Sequence, residues 1–82
     1  MQLSNSAIDE AIFSMFASDP GHWRKVAAVI ARVSNTLGES LPEGDTGYQL
    51  VAERIEVLLR EGRLLAQGDI KNWRFSEVRV AD

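Results

Sequence analysis

Apolar residues recur along this chain at two different periods, and the switch between them divides it into a helical part and a short β part. Ile8, Ile12, Met15 and Phe16 fall on one face of a helix. Ser4 or Ser6 can cap that helix, with Asp9 and Glu10 near its positive N-terminal end. If Ser4 is the cap, Leu3 and Ile8 take the hydrophobic-staple positions. Ser18-Asp19-Pro20-Gly21 breaks the pattern, so the first helix is predicted over roughly residues 5–17. A second helix is predicted from His22 or Trp23, with Trp23, Val26, Ala27, Ile30, Val33 and Leu37 on its apolar face. Arg24, Lys25, Ala28 and Arg32 point away from that face, and Gly38 suits the C-cap.

Glu39 to Asp45 is rich in turn residues and reads as a loop. Asp45 or Thr46 then caps a third helix. Its apolar face is Tyr48, Val51, Ile55, Leu58 and Leu59, widened by Leu50 and Val57, while Glu53, Glu56, Arg60 and Glu61 take the remainder. Gly62 is placed for a left-handed C-cap. Leu64-Leu65-Ala66 reads as a short strand and Gln67-Gly68-Asp69 as a turn. From Arg74 to Val80 the period is two, with Val78 and Val80 inward and Glu77 and Arg79 outward. Phe75 is out of phase with those valines, which predicts a bulge or an aromatic on the exposed face. The strand ending at Val80 can serve as an edge that pairs with a partner strand or a second copy. The expected fold is α+β: a three-helix, winged-helix-like domain with a C-terminal β-hairpin as the wing, one domain over residues 1–82.

Composition narrows the function. The chain has 82 residues and no cysteine, which removes disulfides and thiolate metal sites. Its apolar runs fall far short of the roughly 20 residues that span a bilayer, and MQLSNSAIDE lacks the features of a signal peptide. A soluble protein of the cytoplasm, without membrane contact, is expected. Nine Lys and Arg against twelve Asp and Glu give a net charge of −3. A nucleic-acid binder usually carries a basic balance, because phosphate neutralisation supplies most of its affinity. This chain carries no such bias.

Trp23-Arg24-Lys25-Val26-Ala27, Glu43-Gly44-Asp45, Glu53-Arg54-Ile55-Glu56, Glu61-Gly62-Arg63-Leu64 and Ser76-Glu77-Val78-Arg79 together resemble an uncharacterised bacterial domain family of the domain-of-unknown-function series, DUF3658. The resemblance covers nearly the whole chain. It implies a winged-helix-like module of the kind appended to the C-terminus of larger bacterial proteins, and it implies no catalytic residues. At the level of fold, the helix–glycine–hairpin half also resembles winged-helix regulators.

Candidate chemistry is sparse. His22 is the sole histidine; a helix-entry residue partly packed against Trp23 is a plainer account of it than a general base, which needs a nucleophile or carboxylate beside it. Glu39, Glu43 and Asp45 lack the spacing of a calcium loop. Gly44-Asp45-Thr46-Gly47 opens a helix and could offer amides to an anion, but no lysine follows and two acids lie close by. No catalytic residue, metal site or cofactor is expected. For DNA binding, the candidates are Arg24, Lys25, Arg32, Gln49, Lys71 and Arg74, with Arg79 a further wing cation. Against that reading stand Glu53 and Glu56 on the third helix and the loop before it, longer than the 3–4 residues typical of a helix-turn-helix. For protein binding, the candidates are Trp73, Arg74 and Phe75, since aromatics and arginine anchor interfaces. The alternative for Trp73 is that it folds back over the core with Phe75. The expectation is a non-enzymatic binding or regulatory module, with a protein partner or self-association, and a DNA-binding transcriptional regulator as the rival.

Overall fold

The computed structural model describes residues 4–69 and 71–81. Helix α1 (Asn5–Ser14) is followed by a two-residue strand β1 (Arg24–Lys25), helix α2 (Val26–Leu37), helix α3 (Asp45–Arg60) and the strands β2 (Leu64–Gly68) and β3 (Ser76–Val80). Short 3-10 turns occupy Gly38–Ser40 and Trp73–Phe75. The three strands form one antiparallel sheet in the order β1-β3-β2. Three helices and a C-terminal hairpin give the α+β, winged-helix-like fold expected from the sequence.

Ser4 is the cap of α1: its backbone is extended and its Oγ accepts from the Ala7 N–H at 3.1 Å. The Leu3 half of the expected staple lies outside the described residues. The α-helix ends at Ser14, three residues earlier than predicted, and the chain continues as tight turns in which Met15, Phe16 and Ala17 donate to carbonyls three residues back. Those turns still deliver Phe16 to the core, where it is almost fully buried. With the helix starting at Asn5, Asp9 sits beyond the first turn and has no dipole role.

The largest departure lies between residues 22 and 25. Helix α2 starts at Val26, not at His22 or Trp23, because Arg24 and Lys25 are extended and pair with Val78 and Glu77 of β3. The α2 face that enters the core is Val26, Val29, Ile30 and Val33, with Leu37 packed beside it; Ala27 lies at its margin. Gly38 closes the helix with φ +52°.

Helix α3 has Gly44 at its N-cap and no side-chain cap, so neither Asp45 nor Thr46 serves as predicted. Its buried face is Gly47, Val51, Ala52, Ile55 and Leu58. Tyr48 and Leu50 are turned out to solvent. Gly47 is the reason for the offset: a Cβ there would lie 2.2 Å from the Pro42 carbonyl oxygen, so only glycine allows the preceding loop to press against this turn. Leu41, buried from the same loop, fixes it to the core. At the other end the Arg63 N–H bonds to Leu58 O (2.9 Å) and the Gly62 N–H to Leu59 O (3.1 Å), the paired bonds of a Schellman stop with Gly62 at φ +76°.

One hydrophobic cluster holds these parts together: Ile8, Ile12 and Phe16 from the N-terminal segment, the α2 and α3 faces, and Leu64 and Val78 from the hairpin. Arg54 of α3 ties α1 to α3, its Nε and Nη2 donating to the Asp9 carboxylate at 2.9 and 2.8 Å. The two side chains keep only 18% and 14% of their exposure. Hydrogen bonding to Asp9 is the main cause of a raised Arg54 pKa; burial opposes it.

Candidate functional site

The hairpin and β1 decide which side chains the fold leaves available. Strand β2 runs to Gly68, two residues further than predicted, and β3 begins at Ser76. The reversal between them is braced by its own polar residues. Asp69 Oδ1 accepts from the Lys71 N–H (3.2 Å) and Asn72 Oδ1 from the Arg74 N–H (3.3 Å), while Ser76, fully buried, donates its hydroxyl proton to the Asn72 carbonyl (3.0 Å). Gly68 adopts φ +85°, and a Cβ on it would meet the Phe75 carbonyl oxygen at 2.2 Å.

This geometry separates the two neighbouring aromatics. The turn carrying Trp73 packs back against α2, leaving Trp73 half-buried at the margin of the core. Phe75 instead stands 71% exposed. Of the pair expected to act together, Trp73 is structural and Phe75 is free. The out-of-phase position of Phe75 in the sequence marked this difference; its assignment to a folded-back pair did not.

The sheet has a core side and an open side. Leu64, Ser76 and Val78 face the helices. On the opposite side Lys25, Glu77 and Gln67 lie in one cross-strand row, and Arg79 and Leu65 in the next. Gln67 donates to Glu77 at 2.8 Å, and the Arg79 guanidinium lies 5.1 Å from the Trp23 ring centroid. Lys25, Gln67, Gly68, Arg74, Phe75, Ser76 and Glu77 line a shallow depression on this open side. Arg74 and Phe75 thus share a surface with Lys25, a cation that the sequence placed only on a helix flank.

The nucleic-acid candidates do not gather in one place. Arg24 shares the core-facing register of Val78, its guanidinium carbon 5.7 Å from the centroid of the buried Phe16 ring and its Nε buried without a hydrogen-bond partner. Arg32 lines a different groove, of about 1020 Å³, between α2 and the start of α3, beside Glu39, Glu43 and Tyr48. Gln49 is exposed on α3, where its solvent-facing companions include Asp45, Glu53 and Glu56. Lys71 is exposed in the hairpin turn. Lys25 and Arg74 are the two candidates that meet.

His22 is exposed in the turn before β1 rather than packed at a helix entry; its N–H bonds to Asp19 O at 3.2 Å. Among the described residues no group of three or more His, Asp or Glu converges as a metal site would require, and no helix is long and apolar enough to cross a membrane. The edge assignment also changes. The strand ending at Val80 is the central strand of the sheet, bonded on both sides; β2 and the short β1 are the edges. Comparison with known proteins finds no matching family model, no matching curated protein and no matching solved structure.

Proposed function

We propose that this chain is a non-enzymatic binding or regulatory module whose partner is a protein, docked on the open side of the sheet around Phe75. The observation that carries the reading is the 71% exposure of Phe75 beside Arg74 and Lys25. A large aromatic held out by a braced turn costs little entropy to bury on binding, and arginine beside it adds directional hydrogen bonds. Glu77, the one acid of this depression, is already engaged by Gln67. The complementary partner therefore presents an apolar pocket rimmed by carboxylates. The resemblance to DUF3658 belongs to the same proposal: a bacterial, cytoplasmic appendage that links a larger protein to its partner.

The test is reconstitution. A partner recovered from an extract of the producing cells, once purified, should bind the isolated chain, and Phe75→Ser should weaken that complex by about tenfold or more, roughly 1.4 kcal/mol, with an unchanged circular-dichroism spectrum. Equal affinity of the two forms rejects the site.

The winged-helix-like arrangement supports a second reading, a DNA-binding regulator in which Lys25, Lys71 and Arg74 meet phosphates. It is weakened by Asp45, Glu53 and Glu56 on the exposed side of α3, the helix that would enter the groove. Titration of labelled duplex DNA at about 50 and 200 mM salt separates the two: micromolar binding that collapses at the higher salt replaces the protein reading, and no binding at low salt removes the DNA reading. His22→Ala should leave any activity intact; a large loss restores the enzyme hypothesis.

A further inference from the structure

The hairpin leaves one strand edge open, and its backbone defines what that edge offers. The Ala81 N–H donates to Arg63 O at 3.1 Å, and the Asp69 N–H to Phe75 O at 3.1 Å. These flanking bonds set the parity of the antiparallel ladder. Leu65–Arg79 and Gln67–Glu77 are the pairs that exchange hydrogen bonds, so Leu64, Ala66 and Gly68 direct their amide groups away from β3. The far side of β3 agrees, since the Val80 N–H points away from β2 to Pro20 O at 3.0 Å. Among the described residues, no backbone group outside the hairpin reaches Ala66 or Gly68. The strand Leu64-Leu65-Ala66-Gln67-Gly68 contains no charge and no proline, the usual guards of an edge, and Leu65 is 40% exposed.

We propose that β2 pairs antiparallel with β2 of a second copy of this chain, about a two-fold axis at Ala66. In that register Ala66 faces Ala66 of the other copy and exchanges two hydrogen bonds with it. Gly68 faces Leu64, and its outward N–H meets the Leu64 carbonyl. On the open side of the sheet Leu65 faces Gln67, and the two copies of Leu65 become diagonal neighbours, which covers apolar surface the monomer leaves in water. Just beyond the strand ends Arg63 falls opposite Asp69, once on each side of the axis. Sliding the strands to the next allowed register puts Arg63 opposite Gln67 or Lys71 and loses that match. A positive residue before β2 and a negative one after it make this edge complementary to itself when antiparallel, which is why a second copy is the occupant. The inference rests on the outward backbone of β2 and the reading of Phe75 on an exposed side chain, so Ala66→Pro and Phe75→Ser separate the two; Asp69, which also braces the turn below Phe75, bears on both.

Sedimentation equilibrium of the full chain over about 10 µM to 1 mM should show a reversible monomer–dimer equilibrium with a dissociation constant on the order of 100 µM. Ala66→Pro removes an N–H that makes no bond to β3, so the hairpin should persist while dimerisation weakens by about tenfold or more. Arg63→Glu, which also gives up the guanidinium contact 4.8 Å from the Phe13 ring centroid, and Asp69→Arg, which also gives up the bond from the Lys71 N–H, should each weaken the dimer. The double swap carries both of these losses and should still restore it, a readout that a merely structural role does not produce. A monomer across the whole range overturns the proposal. So does a dimer that ignores Ala66→Pro, or a double swap that restores nothing.

Discussion

The Asp9–Arg54 pair gives the sharpest test of how this small core is assembled, because its strength depends on geometry and partial burial. Arg54 presents two parallel donors at 2.9 and 2.8 Å to the two carboxylate oxygens, a fork that a lysine cannot reproduce. Fully exposed pairs contribute about 0.2–1 kcal/mol, whereas breaking a buried pair costs about 3–5. With 18% and 14% of their side-chain surface exposed, the partners sit between these limits, and solvent reaching the pair discounts the Coulomb gain. A coupling energy of about 1–2 kcal/mol follows.

A double-mutant cycle of Asp9→Ala, Arg54→Ala and the double variant, by urea unfolding, reads that coupling directly. Arg54→Lys should recover less than half of it, since one of the two directed bonds is lost. The raised pKa of Arg54 fixes the pH dependence on the basic side. A folded-state pKa above the unfolded one contributes stability that is complete below the unfolded value and is lost only as pH rises through the folded value. The arginine charge therefore persists across the working range, and the coupling should be constant from about pH 7 to 10. A coupling below about 0.3 kcal/mol, the level of an exposed pair, refutes the reasoning, and so does a decline of the coupling over that interval.

Three further outcomes are expected. Gly68→Ala should destabilise the fold by roughly 2–4 kcal/mol in thermal or urea unfolding, from a left-handed φ and a Cβ overlapping the Phe75 carbonyl; a loss under 0.5 contradicts the turn geometry. Leu58→Ala, at a fully buried position facing the core, should cost about 2–5 kcal/mol by the same measurement. Trp73→Ala should lower stability by at least about 1 kcal/mol while Phe75→Ser changes it by less than about 0.5, and the reverse order would exchange the structural and free roles of the two aromatics.

The helical faces were legible in the sequence because burial there is periodic. Val26, Ile30 and Val33 repeat at the interval that turns them to one side, and tertiary packing only had to select the phase. Strand β1 was not legible. It is two charged residues long, extended only because β3 lies alongside, so no local pattern distinguishes it from the first turn of a helix. Tyr48 was misplaced for a related reason. Hydropathy favours tyrosine over glycine as the inward residue, but the approach of Pro42 makes the absence of a side chain at Gly47 the deciding property. The pairing of Asp9 with Arg54, 45 positions away, has no local signature at all.

The candidate site shows the same division between local and non-local information. Phe75 could be singled out because it is an aromatic out of phase with the inward Val78 and Val80, and the turn residues Asp69 and Asn72 hold it there, just before β3. Lys25 joins it only through the β1–β3 pairing, which carries the lysine across from a different segment. That pairing also converts β3 into the central strand and transfers the open edge to β2. The short strand invisible in the sequence thus has two consequences: it completes the depression around Phe75, and it fixes which edge a second copy can reach. Removing its lysine tests both. Lys25→Ser would keep both sides of β3 paired. It should weaken partner binding at Phe75 by removing a cation, while the β2 self-pairing survives because none of its hydrogen-bonding groups belongs to β1.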